Sequence, residues 1–257
     1  MLLARVPPAN VVFLDDLDST VAFAERLMKA WLAADEDPLA QTLLVAARQH
    51  AGRGRGEHSW ESPEGGLYAN WLAWLPGRAL PVLPLAVGVT LATAIEAFWP
   101  PAMVGLKWPN DLVAGGRKLG GILCQSRGPG DPMWVSVGFG VNLTTAPALP
   151  PGSTSLPTCL RDLGWRGSVG EGVCALAQAF LEGVQGAVAD PDATRHRWVQ
   201  RSVHRRGDIL RVQLADTVVE GTFAGFDADA LLLLEVGDEL RRFSAGEVLA
   251  GCGTGGS

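Results

Sequence analysis

Apolar residues along this chain change their spacing repeatedly between two and about 3.6 residues, which is typical of mixed α and β structure. The chain begins with a predicted strand over residues 11–14 and a helix over about residues 20–32, and no internal repeat is visible. Beyond residue 200 only short strands follow one another, which favours a small barrel. The sequence therefore predicts an α+β fold, with a large domain over residues 1–200 and a small β-barrel domain over residues 201–257.

A mostly buried helix is predicted over residues 83–98. Ser168 and Glu171 form the S-x-x-E pattern of a capping box, which predicts another helix directly after it. Three arginines ahead of the small barrel, Arg201, Arg205 and Arg206, are expected in a solvated linker. Strands are predicted over residues 42–47, 67–75, 104–107, 111–113, 119–125 and 134–141, and then over residues 209–214, 218–225, 231–236 and 239–243.

The composition argues against several kinds of partner. The 257-residue chain has a formal net charge of −6, so its average surface repels nucleic acids and anionic membranes. Its longest uncharged stretch, residues 79–95, is shorter than the about 20 residues of a membrane-spanning helix and is broken by prolines. The N-terminus lacks the pattern of a secretory signal, and the four cysteines form no C-x-x-C pair. We therefore expect a cytoplasmic protein with reduced thiols and without a DNA or membrane partner.

A glycine-rich run that carries several arginines, residues 48–56, is the first candidate site. Its exposed backbone amides and guanidinium groups suit an anionic ligand such as a phosphate. It is not a P-loop, because no G-K-[ST] follows. A flexible surface loop with solvated arginines accounts for the same composition.

Two of the three lysines of the chain fall in the second candidate site. Lys107 begins the sequence K-W-P-N-D, whose turn residues end a strand, and after a glycine hairpin at residues 114–116 Lys118 returns toward the same sheet edge. Lys107, Lys118 and Asp111 would then converge, with Asp111 suited to Mg²⁺ and a lysine suited to phosphate. A purely structural turn is the alternative, because it explains the Pro, Asn and Asp without a ligand.

Two further segments are candidates for ligand contact. Ser19 and Thr20, which follow an aspartate at a strand-to-helix junction, suit either a helix cap or a polar, uncharged ligand group. The glycines in the apolar sequence G-F-G-V-N, residues 138–142, indicate a bulge or a close approach of the backbone to another element or a ligand. The four histidines show no metal-ligand spacing, and no Ser-His-Asp arrangement supports a nucleophilic hydrolase.

Taken in order, these motifs resemble those of one enzyme family. D-S-T, Q-x-A-G-R-G-R, a Trp, K-W-P-N-D, R-K-L-x-G-I-L and G-x-G-x-N follow one another as in biotin protein ligases, which attach biotin to carboxylase carrier domains. The resemblance covers almost the whole chain. It implies a biotin/lipoate ligase-like catalytic domain, built on a mixed β-sheet with helices on one face, and a small SH3-like C-terminal barrel.

The resemblance also implies a role for each site residue. Lys118 and Arg55 would be catalytic, and Asp111 would hold Mg²⁺. Biotin or its adenylate would contact Ser19, Thr20, Gln49, Arg53, Gly54, Arg55, Lys118, Gly121 and Leu123. ATP would contact Trp60, Lys107, Asn110, Asp111, Lys118 and Asn142.

Several positions depart from the family's pattern. Val21 stands where the family commonly has Asn, so a polar contact near biotin is missing or replaced. Glu57 and His58 keep the length of the loop after G-R-G-R but add an anion and remove a cation. Ala230 replaces a common turn glycine in the small domain. Only about ten residues precede the first strand, too few for the DNA-binding helix-turn-helix of some members.

We therefore expect a monofunctional, ATP-dependent biotin ligase. It would form biotinyl-5′-AMP with release of pyrophosphate, and then transfer biotin to a lysine of the biotin carboxyl carrier protein of acetyl-CoA carboxylase. Its expected partners are biotin, ATP, Mg²⁺ and the carrier domain, and a homodimer is expected by analogy with other members. The nearest alternative is a lipoate ligase of the same superfamily, a non-catalytic biotin or adenylate sensor belongs to a different class, and the acidic charge disfavours a DNA-binding repressor.

Overall fold

The computed structural model describes residues 9–34, 41–56, 58–128, 130–148 and 156–249. The helices in these ranges are α1 (Thr20–Ala34), α2 (Leu83–Phe98), α3 (Val169–Ala189) and α4 (Pro191–Arg201). The strands are β1 (Ala9–Leu17), β2 (Gln41–Gln49), β3 (Gly66–Leu75), β4 (Gly105–Lys107), β5 (Asp111–Ala114), β6 (Arg117–Arg127), β7 (Met133–Asn142), β8 (Ile209–Gln213), β9 (Val218–Phe226), β10 (Leu232–Val236), β11 (Glu239–Phe243) and β12 (Glu247–Leu249).

Strands β1 to β7 form a seven-stranded sheet in the order β1-β2-β3-β7-β6-β5-β4. The β1–β2 pair is parallel, and the other pairs are antiparallel. Parallel neighbours need a crossover connection, and α1 lies in the segment that joins β1 to β2. The prediction of a mixed sheet is therefore confirmed.

Helices cover both faces of this sheet, so the expectation of helices on one face is wrong. Successive residues of a strand point to opposite faces. In β2, Leu43 belongs to the large core that includes α2 and α3, whereas Leu44 clusters with Met28 of α1. In β3, Trp71 and Leu72 divide between the two cores in the same way. The physical reason is that the crossover helix α1 buries the sheet face that α2 and α3 leave open.

Strands β8 to β12 form a second, antiparallel sheet in the order β11-β10-β9-β8-β12. The four strands predicted after residue 200 are confirmed, and the short β12 is an addition. Strands β11 and β12 lie at opposite edges, and no pairing between them is found in the described part of the chain. The predicted closed barrel is therefore not confirmed.

The two sheets share one hydrophobic core. Trp198 of α4 packs against Phe226 of β9 with ring centroids 4.6 Å apart, and both sheets contribute residues to one buried cluster. The segment that connects them also pairs with the edge strand β4, because the N–H of Val203 donates to the carbonyl of Leu106 at 3.0 Å. The small sheet is therefore fixed beside β4, the strand that leads into the K-W-P-N-D turn.

The solvated linker expected ahead of the small sheet is found for two of its three arginines. Arg201 ends helix α4, is half-buried and donates to Glu96 of α2 at 2.8 Å, whereas Arg205 and Arg206 are exposed. Helix α4 lacks a clear apolar period but has a local start signal, because Asp190 caps it and proline follows.

Two local predictions are confirmed. Ser168 Oγ accepts from the N–H of Glu171 at 3.3 Å, and Glu171 Oε2 accepts from the N–H of Ser168 at 2.7 Å, so the capping box starts α3. Gly115 and Gly116 have φ angles of 56° and 73°, as a two-residue hairpin turn requires.

Within the described ranges, α3 is the one helix that is long and apolar enough to cross a membrane by length and composition. Leu176, Phe180 and Val184 on this helix are buried in the large core, where Phe180 packs edge-on against Trp71 of β3. One face of α3 is therefore packed on the core.

Candidate active site

A cavity of about 620 Å³ opens on the α1 face of the seven-stranded sheet. Its walls come from the start of α1, the glycine-rich loop that follows β2, the β4–β5 turn, and residues 213–215 and 245–249 of the five-stranded sheet. All of the predicted site residues except Ser19 line this cavity. Ser19 is buried and caps α1, where its Oγ accepts from the N–H of Ala22 at 3.5 Å.

Glycines form the floor of the cavity, and the indole of Trp60 lies on them. A Cβ atom at Gly140 of β7 would come within 2.7 Å of Trp60 Nε1, and one at Gly121 of β6 would come within 3.1 Å of Trp60 Cζ3. A Cβ atom at Gly138 would lie 2.7 Å from Val21 Cγ2. The glycines of G-F-G-V-N and of R-K-L-G-G-I-L therefore make room for side chains that stand over the sheet.

Two lysines and one aspartate meet beside this floor, as the sequence predicted. Lys107 and Asp111 are opposite each other in the β4–β5 pair, and Lys118 Nζ lies 2.7 Å from Asp111 Oδ1. The Lys118 ammonium also lies over Trp60, 5.4 Å from the ring centroid. Burial lowers the pKa of Lys107, against an opposing effect of Asp111. In the part of the chain that the structure describes, the Lys107 ammonium forms no salt bridge.

Arg55 links the glycine-rich loop to the five-stranded sheet. Its Nη1 donates to the carbonyl of Gly246 at 2.8 Å, just before β12. Burial lowers the pKa of the Arg55 guanidinium, and the negative charges of Asp111 and Glu247 oppose that effect. In the same loop, His58 Nε2 lies 3.8 Å from Glu247 Oε2. The neighbouring Glu57 is outside the described residues.

Arg53 takes a different direction from Arg55. Its Nη1 lies 3.2 Å from Oε2 of Glu25 on α1, and its side chain is 51% exposed. Arg127, at the end of β6, contacts the other oxygen of Glu25 at 3.3 Å. Within the loop, the N–H of Gly54 donates to the carbonyl of His58 at 2.8 Å, which closes a tight turn.

The end of the cavity next to α1 is polar and uncharged. Gln49 Oε1 accepts from both the N–H and the Oγ1 of Thr20, at 2.7 and 2.9 Å, while its Nε2 donates to Ser62 Oγ at 2.7 Å. Gln49 is thereby held in one orientation. Val21 and Leu123 add apolar surface beside these groups.

The two asparagines have different functions in the structure. Asn110 fixes the K-W-P-N-D turn to β6 through two hydrogen bonds to Ile122. Its side-chain Nδ2 donates to the backbone carbonyl of Ile122 at 2.7 Å, and its backbone carbonyl accepts from the N–H of Ile122 at 3.0 Å. Asn142 donates from Nδ2 to the carbonyl of Thr158 at 2.9 Å. Its buried Oδ1, like the Nε1 of Trp60, has no hydrogen-bond partner among the described residues. Unpaired buried polar atoms beside a cavity are suited to a ligand.

The described residues of the cavity do not provide a set of side chains that would hold a metal ion by themselves. Among the described residues there is no group of three or more His, Cys, Asp or Glu side chains that could hold a metal ion. Asp111 lies in the cavity with its carboxylate on Lys118, and Glu247 lies at the mouth. Mg²⁺ that arrives with a phosphate ligand needs only one or two protein carboxylates, and Asp111 fits that requirement.

Sequence reasoning missed the contribution of the C-terminal sheet. Gly246 and Glu247 line the cavity, and Gly246 accepts the hydrogen bond from Arg55, a residue that is distant in sequence. The only local signal is Gly246 itself, whose φ of 137° requires glycine. A local pattern predicts the turn but not its partner.

Comparisons with known proteins agree on one family. The profile of the Biotin/lipoate A/B protein ligase family matches residues 31–142. A biotin–[acetyl-CoA-carboxylase] ligase of Paracoccus denitrificans is 32% identical over 199 residues, which are 74% of this chain and 82% of that protein. A biotin–[acetyl-CoA-carboxylase] ligase of Mycobacterium tuberculosis is 32% identical over 237 residues, with 88% and 84% covered. The solved biotin protein ligase from Aquifex aeolicus in complex with biotin and ATP is 25% identical, with a TM-score of 0.71 and 93% and 97% covered.

Proposed function

Because the chain belongs to the biotin protein ligases of the biotin/lipoate A/B protein ligase family, we propose that the cavity beneath the glycine-rich loop is where it joins biotin to ATP. The chain is an ATP-dependent ligase that activates biotin as biotinyl-5′-AMP, releases pyrophosphate and passes biotin to a carrier protein. The observation that carries this site assignment is the convergence of Lys107, Lys118 and Arg55 around a glycine floor.

The first step needs cations, because a carboxylate and a triphosphate repel each other. The carboxylate oxygen of biotin attacks the α-phosphorus of ATP, a new P–O bond forms, and the bond to pyrophosphate breaks. Lys118 and Arg55 stabilise the charge that develops on the α-phosphoryl group. Lys107, which forms no salt bridge within the described chain, is suited to the departing pyrophosphate.

The nucleotide end of the cavity is assigned to Trp60 and Asn142. The indole offers a flat aromatic surface for a purine. The unpaired Oδ1 of Asn142 accepts a hydrogen bond, which an amino group such as that of adenine supplies. Asp111 would hold a magnesium ion that accompanies ATP and neutralises part of its charge.

The biotin end is assigned to the polar groups beside α1. Thr20 and Gln49 are uncharged hydrogen-bonding groups, which suits the ureido ring of biotin better than an anion. Val21 and Leu123 supply apolar contacts for the rest of the ligand. The Asn that the family commonly has at position 21 is thus replaced by an apolar contact.

The second step needs no nucleophile from the enzyme. A lysine amine of the carrier attacks the acyl carbon of the adenylate, a C–N bond forms, and the C–O bond to AMP breaks as the amine loses its proton to solvent. Lys118 remains beside the departing phosphate. The glycine-rich loop, tied by Arg55 to Gly246, covers the mixed anhydride and limits its hydrolysis.

The finer assignments rest on family resemblance. We place the catalytic domain at residues 1–200 and an SH3-like domain, which contains the five-stranded sheet, at residues 201–257. The carrier is the biotin carboxyl carrier protein of acetyl-CoA carboxylase, the enzyme named in both relatives. A cytoplasmic setting and a homodimer belong to the same proposal, and sedimentation of the purified chain tests the homodimer.

The proposed function is tested with purified chain, biotin, Mg-ATP and a carrier domain. Pyrophosphate release that depends on biotin, together with labelling of the carrier lysine, is the expected result. Binding of biotin without pyrophosphate release would instead support a sensor. A competition assay between biotin and lipoate tests the alternative of a lipoate ligase. Preferential attachment of lipoate to the carrier would support that alternative, and preferential attachment of biotin would exclude it.

A further inference from the structure

We propose that His204, in the connection to the five-stranded sheet, is a positioning residue that holds the K-W-P-N-D turn for catalysis. The proposal rests on the function given above. His204 Nε2 accepts a hydrogen bond from the backbone N–H of Trp108 at 3.3 Å. Trp108 directly follows Lys107 and lies three positions before Asp111, so the contact is made in the middle of the cationic motif.

The hydrogen bond continues a ladder that the backbone leaves unfinished. Strand β4 pairs with β5 on one side, and on its other side the N–H of Val203 donates to the carbonyl of Leu106 at 3.0 Å. Ser202 forms a parallel bridge with Leu106 at the same place. At the next donor on this side, the N–H of Trp108, the imidazole of His204 supplies the acceptor in place of a carbonyl.

The imidazole is fixed in position and is neutral near pH 7. A ring nitrogen accepts a hydrogen bond only when it carries no proton. Burial, and to a lesser extent the positive charge of Lys107, lowers the pKa of His204 to about 4, against a smaller opposing effect of Asp208. The ring packs against Phe223 of β9 with centroids 5.7 Å apart, and the N–H of His204 donates to Ser202 Oγ at 3.2 Å.

Loss of this acceptor should affect ATP more than biotin. The turn that His204 supports carries Lys107 and Asp111, which we assign to the phosphates. Thr20 and Gln49, which we assign to biotin, are held by hydrogen bonds to each other and to Ser62, with no involvement of the turn. A residue that merely stabilised the fold would not separate the two substrates.

The test compares His204→Leu, which removes the acceptor, with His204→Gln, whose Oε1 stands the same number of bonds from Cβ as Nε2. In His204→Asn the side-chain oxygen is one bond closer to Cβ, so it does not reach the position of Nε2. Exposed His196 on α4, changed to Leu, is the matched control. Pyrophosphate release is measured with ATP and biotin varied separately, and thermal melting is recorded for each variant.

We expect His204→Leu to raise KM for ATP, and so to lower kcat/KM for ATP, about tenfold or more, while KM for biotin stays within about twofold. His204→Gln should recover most of the loss, and the His196 control should match the wild type. If His204→Leu does not fold, the same inference predicts that Gln is active and Asn defective. Equal activity of His204→Gln and His204→Asn, or equal changes in KM for ATP and in KM for biotin, would overturn the proposal. A wild-type chain that releases no pyrophosphate would overturn the proposed function instead.

Discussion

Lys118 Nζ and Asp111 Oδ1 lie 2.7 Å apart on the neighbouring strands β6 and β5, with side-chain exposures of 30% and 14%. Two opposite charges are thus held together in a cavity that already contains Lys107 and Arg55. A triphosphate that reaches Lys118 must either displace the Asp111 carboxylate or supply a cation for it. We therefore expect anion binding at Lys118 to be coupled to cation binding at Asp111.

Replacement of Lys118 by Ala should slow adenylate formation by about 10² to 10³, because a positioned charge beside the α-phosphoryl group is lost. Single-turnover pyrophosphate release with biotin and Mg-ATP measures the effect. Lys29→Ala is the matched control, because Lys29 is exposed on α1 and should leave the rate unchanged. A Lys118→Ala rate close to that of the control would remove Lys118 from the mechanism.

Replacement of Gly140 by Ala should raise KM for ATP roughly tenfold, because the added methyl group would stand 2.7 Å from Trp60 Nε1 and force the indole off the floor. Steady-state kinetics and Trp fluorescence follow the change. Gly186→Ala on α3, where a Cβ meets nothing within 4 Å, is the control that should retain activity. Unchanged ATP kinetics in Gly140→Ala would show that the placement of Trp60 is not needed.

Replacement of Thr20 by Val should weaken biotin binding roughly five- to tenfold, because the pocket loses a polar hydroxyl and Gln49 loses one of the three hydrogen bonds that hold it. Titration calorimetry with biotin gives the Kd, and KM for ATP should stay constant. Thr90→Val removes a hydroxyl that is also buried, from α2 on the opposite face of the sheet. Equal effects of the two substitutions would point to a general loss of stability.

Replacement of Arg55 by Ala should increase the pyrophosphate released per biotin transferred by several-fold. The hydrogen bond that ties the glycine-rich loop to Gly246 is lost, so water reaches the adenylate more often. Both products are counted in one reaction that contains the carrier domain. Arg78→Ala, at an exposed position, should keep the wild-type ratio. A ratio close to one in Arg55→Ala would show that the loop does not protect the intermediate.

Acidification should destabilise the wild type more than His204→Gln between pH 6.5 and pH 4. The pKa of His204 is about 4 in the folded chain against an ordinary value of 6.5, so below 6.5 the unfolded state binds a proton that the folded state does not. The free energy of unfolding should therefore fall as the pH drops through this window, by at most about 3 kcal/mol from this residue. Urea denaturation at several pH values measures it, and parallel curves for the two proteins would contradict the assignment.

Local signals predicted much of the fold. The S-x-x-E pattern at Ser168 and the paired glycines at Gly115 each specify backbone geometry within a few residues, and both are confirmed. Helix α4 and strand β12 were missed, because a charged helix with few buried residues and a three-residue strand lack a clear period. The placement of helices on both faces was also missed, since it follows from which strands are parallel neighbours.

The sequence predicted which residues belong to the candidate site, but not which partner each side chain contacts. The sequence brought Lys107, Asp111 and Lys118 together, because a hairpin connects their strands. It could not show that Arg53 turns to Glu25 while Arg55 turns to Gly246, since both arginines stand in the same G-R-G-R run. Contacts between segments far apart in sequence depend on packing, which local patterns do not encode.

The hydrophobic core that both sheets share makes them one cooperative unit. A truncation near residue 200 would expose Leu106 and Trp198 in the remaining chain. It would also remove Gly246, which accepts the hydrogen bond from Arg55. Such a fragment would be prone to aggregation before it could be tested as a catalyst. The C-terminal sheet is therefore not a detachable module, because its removal would expose part of the core and release the Arg55 loop together.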